Sequence, residues 1–187
     1  MLRSVYATRT EPGIEPVTPA EVAEFLRIDY DDHDTMIASY AKEARRTLED
    51  GYLWKCCISQ TCIDRFDRLD ELELHFQPVS AITSITYVDT AGDTQTLAAT
   101  VYELGKRRGV GYVRLKYGQV WPATRSHEDV VTVTYTAGYG ATSSTVPEAI
   151  RQSIILYAGH LYDNPTDAPP TWVLSRISPY YDPRAVG

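Results

Sequence analysis

A chain of 187 residues suits one domain with arms and is long enough to bury a real core. Its 18 Lys+Arg against 25 Asp+Glu leave a net charge of −7, which argues against a general nucleic-acid coat, since that needs a basic face to displace counterions from phosphates. Hydrophobic residues at 43% and charged ones at 23% exclude a disordered chain, and no apolar run reaches the ~18–20 residues of a membrane span. The first residues, Met1 to Thr10, lack the apolar stretch of a signal peptide, and three cysteines cannot all pair within one chain. The expectation is a soluble protein made in a reducing cytoplasm, with no membrane partner. There are 14 Tyr but 3 Phe, and Tyr suits surfaces that are half buried or shared between subunits.

Residues 1–17 carry Pro12, Gly13 and Pro16 and read as an N-terminal arm. Thr18-Pro19-Ala20-Glu21 is a helix start: Thr18 can cap, Pro19 stands at the first helical position, and Glu21 can close a capping box. Val22, Phe25 and Leu26 supply its short apolar stripe. After the acidic turn Asp29 to Asp34, a second helix carries Met36/Ile37, Tyr40/Ala41, Ala44 and Leu48 on one face, with Gly51 as its stop. The two helices together span about 18–51.

From about 57 to 140 the apolar period changes from helical to two. Glu71 to Phe76 alternates strictly, Tyr112 to Tyr117 puts Val113, Leu115 and Tyr117 on one face, and Val131, Val133 and Tyr135 oppose Thr132 and Thr134. Ile58–Phe66 and Ala81–Val88 are β-branched, and Asp89 to Asp93 supplies turn residues after the latter. Strands at this spacing without intervening helices predict an antiparallel β-region. Thr145-Val146-Pro147-Glu148 reads as a second capping box, opening a helix over 145–162 with Ile150, Ile154, Tyr157/Ala158 and Leu161 as its stripe. Ile155 and Leu156 lie off that stripe, so the helix is central to the fold or packed on another chain, and Gly159 would let a second backbone approach. Residues 164–187 hold five prolines and read as a tail through which no helix runs. The predicted fold class is α+β: a small helical core of two N-terminal helices and one C-terminal helix, an inserted antiparallel β-region, and extended termini. The domain proper is 18–163, and 164–187 is its Pro-rich tail.

No catalytic constellation emerges. His33, His75, His127 and His160 sit in unrelated contexts, and Cys56, Cys57 and Cys62 lack the C-x-x-C spacing of a zinc site or redox pair. A calcium loop starting at Asp32 would have Ile37 where glycine is obligatory, so the carboxylates read as partners for a helix dipole and its free amides. Gly105-Lys106-Arg107-Arg108-Gly109-Val110-Gly111 lacks the G-K-[ST] of a phosphate-binding loop and reads as a hairpin tip, solvated or touching an acidic neighbour or a phosphate backbone. No enzyme, cofactor or metal follows from these residues.

Several phrases in fixed order carry a family resemblance. They are Glu15-Pro16-Val17-Thr18-Pro19-Ala20-Glu21 before Phe25-Leu26-Arg27-Ile28-Asp29, then Ala41-Lys42-Glu43-Ala44 with Leu48-Glu49, then Pro78 to Asp89. Val133 to Gly140, Val146-Pro147-Glu148-Ala149-Ile150-Arg151-Gln152 and His160-Leu161-Tyr162 complete the series. The chain resembles the head-to-tail connector (adaptor) proteins of tailed bacteriophages and prophages across most of 15–162, departing from them at Tyr52-Leu53-Trp54 and after Tyr162. The resemblance implies a structural virion protein at the head–tail junction, made in the host bacterial cytoplasm. It implies a homo-oligomer, a dodecameric ring beneath the portal, that extends the DNA channel and meets the next neck or tail-completion protein. DNA would pass through the lumen without sequence-specific contact. Within that frame Ile150, Ile154, Tyr157 and Leu161 are candidates for subunit packing. Trp172, Val173, Leu174, Ile177, Tyr180 and Tyr181 are candidates for a C-terminal arm docked on portal or neighbour, and Lys106, Arg107 and Arg108 for contact with DNA or a partner. The competing reading is a monomeric β-rich module that binds protein and has no virion role.

Overall fold

The capping box at Thr18 forms as the sequence dictates. The Thr18 N–H donates to Glu21 Oε2 (2.7 Å) and the Glu21 N–H donates to Thr18 Oγ1 (3.2 Å), satisfying two of the orphan donors at a helix start. This opens α1, Pro19–Leu26, in a computed structural model that describes residues 2–28, 33–182 and 184. Asp29, Asp31 and Asp32 of the acidic turn, and Pro183 of the tail, lie outside the described residues. α2 spans Asp34–Leu48 and runs on into a π-helical turn, Glu49–Leu53. The stop is therefore not Gly51, which lies inside that turn. It is Trp54, left-handed at φ 50°, whose N–H returns to the Glu49 carbonyl (2.8 Å).

The fold is α+β, and the chain divides into two compact units. Met1–Glu11 and Ser59–Gly138 form a β unit; Pro12–Ile58 and Tyr139–Gly187 form a helical unit. The β unit contains β1 (Leu2–Arg3), β2 (Tyr6–Arg9), β3 (Gln60–Phe66), β4 (Leu72–Glu73) and β5 (Val79–Val88). It continues with β6 (Thr94–Thr96), β7 (Tyr102–Arg107), β8 (Val110–Leu115) and β9 (Val131–Ala137). One sheet has the order β1-β4-β8-β7 and the other β2-β3-β9-β5-β6; every pairing is antiparallel except β1 with β4.

The N-terminal arm is thus no free arm. Its first nine residues add an edge strand to each sheet, and Arg9 and Arg65 lie over the Phe76 and Tyr6 rings at 5.0 and 5.9 Å. Cation–π contacts of this kind add to the ladder bonds. Alternation in β3 and β9 buries Cys62, Asp64 and Phe66 with Val131, Val133, Tyr135 and Ala137. The expected strand 71–76 is paired only at Leu72–Glu73, yet Leu72, Leu74 and Phe76 all point inward as the alternation predicts. The alternation over 112–117 puts Tyr117 on one strand face with Val113 and Leu115, but β8 ends at Leu115 and Tyr117 stands in solvent.

The helical unit packs α1 and α2 with α3 (Glu148–Asp163) and α4 (Thr171–Ile177). The capping box expected at Thr145 and Glu148 does not form. Ser143–Thr145 is a 3₁₀ turn, Thr145 Oγ1 donates to the Thr142 carbonyl (2.6 Å), and Pro147 caps α3 without a side-chain bond. α3 is apolar around much of its circumference because it touches α1, α2 and α4. At Gly159 a side chain would collide with the Phe25 ring, its Cβ falling 2.7 Å from Cε1. The close neighbour is thus an aromatic ring of α1 and not a second backbone.

The tail is the largest departure. Residues 171–177 form a helix because the prolines bracket it: Pro170 precedes its first residue and Pro179 falls in the following 3₁₀ turn, Ser178–Tyr180. Proline is compatible with both places, since neither requires its missing N–H. Val173 and Ile177, four apart and on one helical face, are wholly buried in the core of the helical unit. Ile177→Ala is expected to lower stability by about 2–5 kcal/mol, read from urea denaturation; a loss below about 0.5 kcal/mol, typical of a surface site, would remove α4 from the core.

Candidate functional site

The helical unit is built around one buried charge. Arg45 on α2 is 1% exposed. Its Nε and Nη2 donate to Glu15 at 2.6 and 3.1 Å, and its Nη1 donates to Glu49 Oε2 at 2.7 Å. The other Glu49 oxygen accepts the Cys57 N–H (2.6 Å). Burial alone would lower the Arg45 pKa, but the two carboxylates reverse the direction and hold the guanidinium firmly charged. Burial, with the Glu49 charge beside it, pushes the Cys57 thiol well up, so this cysteine is a packed thiol and no nucleophile.

The residues expected to pack subunits together are spent inside the chain. Ile150, Ile154, Tyr157 and Leu161 are at most 3% exposed in the helical core, so Ile150, Ile154 and Leu161 present no surface to a second copy, and Tyr157 reaches only the wall of a cleft. The expected docking set divides in the same way. Val173 and Ile177 are core, while Leu174, Tyr180 and Tyr181 are half-buried and Trp172 is 50% exposed. Their order comes from their own chain: Lys55 Nζ donates to the Tyr180 carbonyl, Tyr181 Oη donates to the Leu174 carbonyl (3.1 Å), and Tyr52 stacks on Tyr181. Asp182, itself buried, accepts from Arg184 Nε and Nη2 at 2.8 Å each.

Lys106 and Arg107 end β7, and Arg108-Gly109 makes the turn to β8 with φ of 52° and 83°. Two consecutive left-handed residues match the right-handed twist of the strands they join. All three cations are exposed; Arg107 lies 3.6 Å from Glu71 and 5.2 Å from the Tyr112 ring centre.

The histidines stay apart in the fold: His33 Nδ1 meets Tyr162 Oη (3.0 Å), His127 meets the Glu128 carbonyl, and His160 meets Asp167 (3.2 Å). Among the described residues no cluster of three or more His, Cys, Asp or Glu is placed to hold a metal, and no helix is long and apolar enough to cross a membrane. The strongest functional features are surfaces. The β8–β9 loop exposes Tyr117 and Val120, at 104% and 80%. A cleft of about 530 Å³ in the helical unit lies between α2, α3 and residues 165–169. Neither stood out in the sequence, because Tyr117 continued an alternating strand pattern and the cleft joins segments more than a hundred residues apart.

No protein-family model and no curated protein matches the sequence. Solved structures do. A chain from the neck of an empty gene transfer agent (GTA) particle, computed with C6 symmetry, superposes at TM-score 0.79 with 22% identity over 95% of each chain. A chain from the virion of the native gene transfer agent particle gives 0.77 at 23% identity over 95% of each chain. A chain from the native neck, computed with C12 symmetry, gives 0.71 at 24% over 93% of this chain and 94% of that one. The fold is that of a chain found in a particle neck. The likeness covers most of the chain, so it takes in both units.

Two outcomes test the buried polar groups. Arg45→Ala leaves Glu49 buried without its cation and is expected to cost about 3–5 kcal/mol, measured by denaturant melts; a cost under about 1 kcal/mol, the worth of a surface pair, would mean that the cluster is solvated. Burial by itself would raise the carboxyls of Glu21 and Asp182. Hydrogen bonds from Thr18 to Glu21 and from Arg184 to Asp182, with the nearby Arg151 and Arg184 charges, more than offset it and hold both below their ordinary values. Groups depressed in this way stabilise the folded chain above their unfolded pKa, and that contribution is lost as pH falls through the folded pKa. The urea midpoint is therefore expected to drop below about pH 4, and Glu21→Gln to flatten the drop; an unchanged acid profile in that variant would show that Glu21 carries none of it.

Proposed function

We propose that this chain is a structural, non-enzymatic virion protein, a head-to-tail connector that forms a ring beneath the portal, extends the DNA channel and links the capsid vertex to the next neck or tail protein. The observation that carries the reading is the superposition on neck chains over 93–95% of the molecule. The resemblance in ordered sequence phrases points independently to the same place in a particle. The C6 and C12 symmetries of the two necks favour a ring, and we take twelve copies as its size.

The residue chemistry supports the reading at two further places. The Lys106–Arg108 tip is an exposed cationic hairpin, suited to a phosphate backbone passing at close range or to an acidic neighbour. It is too small to grip DNA, as a conduit requires. Trp172, flanked by half-buried Leu174 and Tyr180, is a half-exposed aromatic on the outside of α4, and such groups anchor protein contacts. We assign that patch to the portal side.

Mixing the full-length chain with purified portal and viewing the product by electron microscopy tests the proposal. The expected result is a ring of this protein coaxial with the portal, with twelvefold symmetry. A chain that stays monomeric and unbound in the presence of portal would overturn it.

A further inference from the structure

We propose that the side-chain amide of Gln60 holds internal water, a ligand bound within the β unit as part of its fold. The inference does not depend on the connector reading.

Gln60 opens β3 and faces inward, in line with Cys62, Asp64 and Phe66. It is 4% exposed, and among the described residues neither its Oε1 nor its Nε2 has a hydrogen-bond partner. The other buried polar side chains are all bonded. Arg45 meets Glu15 and Glu49, Asp182 meets Arg184, and Ser153 Oγ donates to the Ala149 carbonyl (2.8 Å). Asp64, two residues along the same face of β3, accepts from Tyr135 Oη and from the His75 N–H. Gln77 is the sharpest contrast, a second buried amide in the same unit. Its Nε2 donates to the Leu74 carbonyl (2.8 Å) and its Oε1 accepts the Gly111 N–H (2.9 Å). A buried amide with nothing to meet gives up its bonds to solvent without replacement, and alternation leaves residue 60 no outward alternative.

The chemistry of the amide selects the occupant. Nε2 needs an acceptor and Oε1 needs a donor. A cation would answer only the oxygen and an anion only the nitrogen, and either would bring an unpaired charge into the interior. Among the described residues no cluster of three or more His, Cys, Asp or Glu is placed to hold a metal. Water donates and accepts, carries no charge and is small. The two amide atoms supply two of the roughly two to four contacts that a buried water makes.

Packing favours this place over its neighbours. Across the sheet Gln60 pairs with Ala137 on β9, and Ala137 pairs with Val79 on β5. All three are buried. The buried residues of β9 are Val131, Val133, Tyr135 and Ala137, so the smallest of them lies opposite the amide. Val79 does not fill the gap from the far side, because its Cγ2 is packed against Gly111. The N–H of the next residue, Gly138, goes to the Pro78 carbonyl (2.9 Å) and is not turned to Gln60.

A crystal structure of the full-length protein, at a resolution that orders water, is expected to show water within about 2.7–3.2 Å of both amide atoms. An amide bonded directly to protein groups, or one with no density beside it, would overturn the inference. In solution, the isotope-labelled full-length chain is expected to give a dipolar cross-peak between the Gln60 side-chain NH2 and water, assigned by its loss in Gln60→Met. An assigned NH2 without that peak would also overturn it. Melting temperatures give a third reading. Gln77→Met strands the Leu74 carbonyl and the Gly111 N–H and is expected to lower the melting temperature by at least about 4 °C. Gln60→Met strands no protein group, since the water leaves with the amide, and is expected to shift it by less than about 2 °C. A fall as large as that of Gln77→Met would show protein groups bonded to Gln60, and a rise of that size would show a dry amide; either overturns the inference.

Discussion

The Arg45 guanidinium is the point on which the helical unit hangs. Its partners come from separate passages of the chain: Glu15 follows the N-terminal strands, and Glu49, which receives the Cys57 N–H, precedes β3. The Cys57 carbonyl in turn accepts the Tyr139 N–H (3.2 Å), just after the chain returns from β9. Every passage between the units is therefore fastened, on its helical side, to one bonded cluster. An apolar cluster of similar volume would hold as well or better, since buried ions lose their hydration. What the charge adds is register. A guanidinium with fixed donor directions accepts one placement of two carboxylates, whereas apolar side chains tolerate sliding.

The β unit repeats the device with a tyrosine in place of the arginine. Tyr135 on β9 donates to Asp64 on β3, and the same carboxylate accepts the His75 N–H (2.6 Å) while Tyr135 Oη accepts the Phe76 N–H (3.0 Å). Burial and the Asp64 charge push the Tyr135 phenol well up, so it remains a donor. Next to it Gln77 joins the Leu74 carbonyl to the Gly111 N–H. Gly111 has no side chain because Val79 fills that space, its Cγ2 lying 2.8 Å from where a Cβ would stand. These bonds fix segments that strand pairing leaves loose, and they hold the β7–β8 hairpin and its neighbours at set heights.

Features set by neighbours in sequence were legible; features set by distant residues were not. The Thr18–Glu21 box closes within one turn, and the inward faces of β3 and β9 follow from alternation alone. The Thr145 box had the right letters but failed because Pro147 took the capping position. Tyr6-Ala7-Thr8-Arg9 shows no alternation, and its strand character comes from pairing with Cys62–Arg65, over fifty residues away. Five prolines mask α4, because what a helix tolerates is set by where they fall, and Pro170 and Pro179 bracket it. An arginine in a helix reads as surface, and nothing local to Arg45 reveals that Glu15 will meet it. The candidate surfaces suffered in the same way: apolar residues expected between subunits were absorbed by the chain's own core, while the exposed ones stood in loops.

Both units are discontinuous in sequence, and this governs how the chain comes to fold. The strands at residues 2–9 leave the ribosome first, but their partners in β3 and β4 emerge only after α1 and α2. Those helices in turn wait for α3 and α4, beyond residue 147. The β unit has its full set of elements only once β9 has been made, and the helical unit only after α4, and pairings across such separations form slowly. Through that interval the early strands carry unpaired edges of the kind that seed aggregation. A chain broken off at mid-length consequently lacks both units rather than one, and no truncation from the C-terminal side at that point leaves either of them whole.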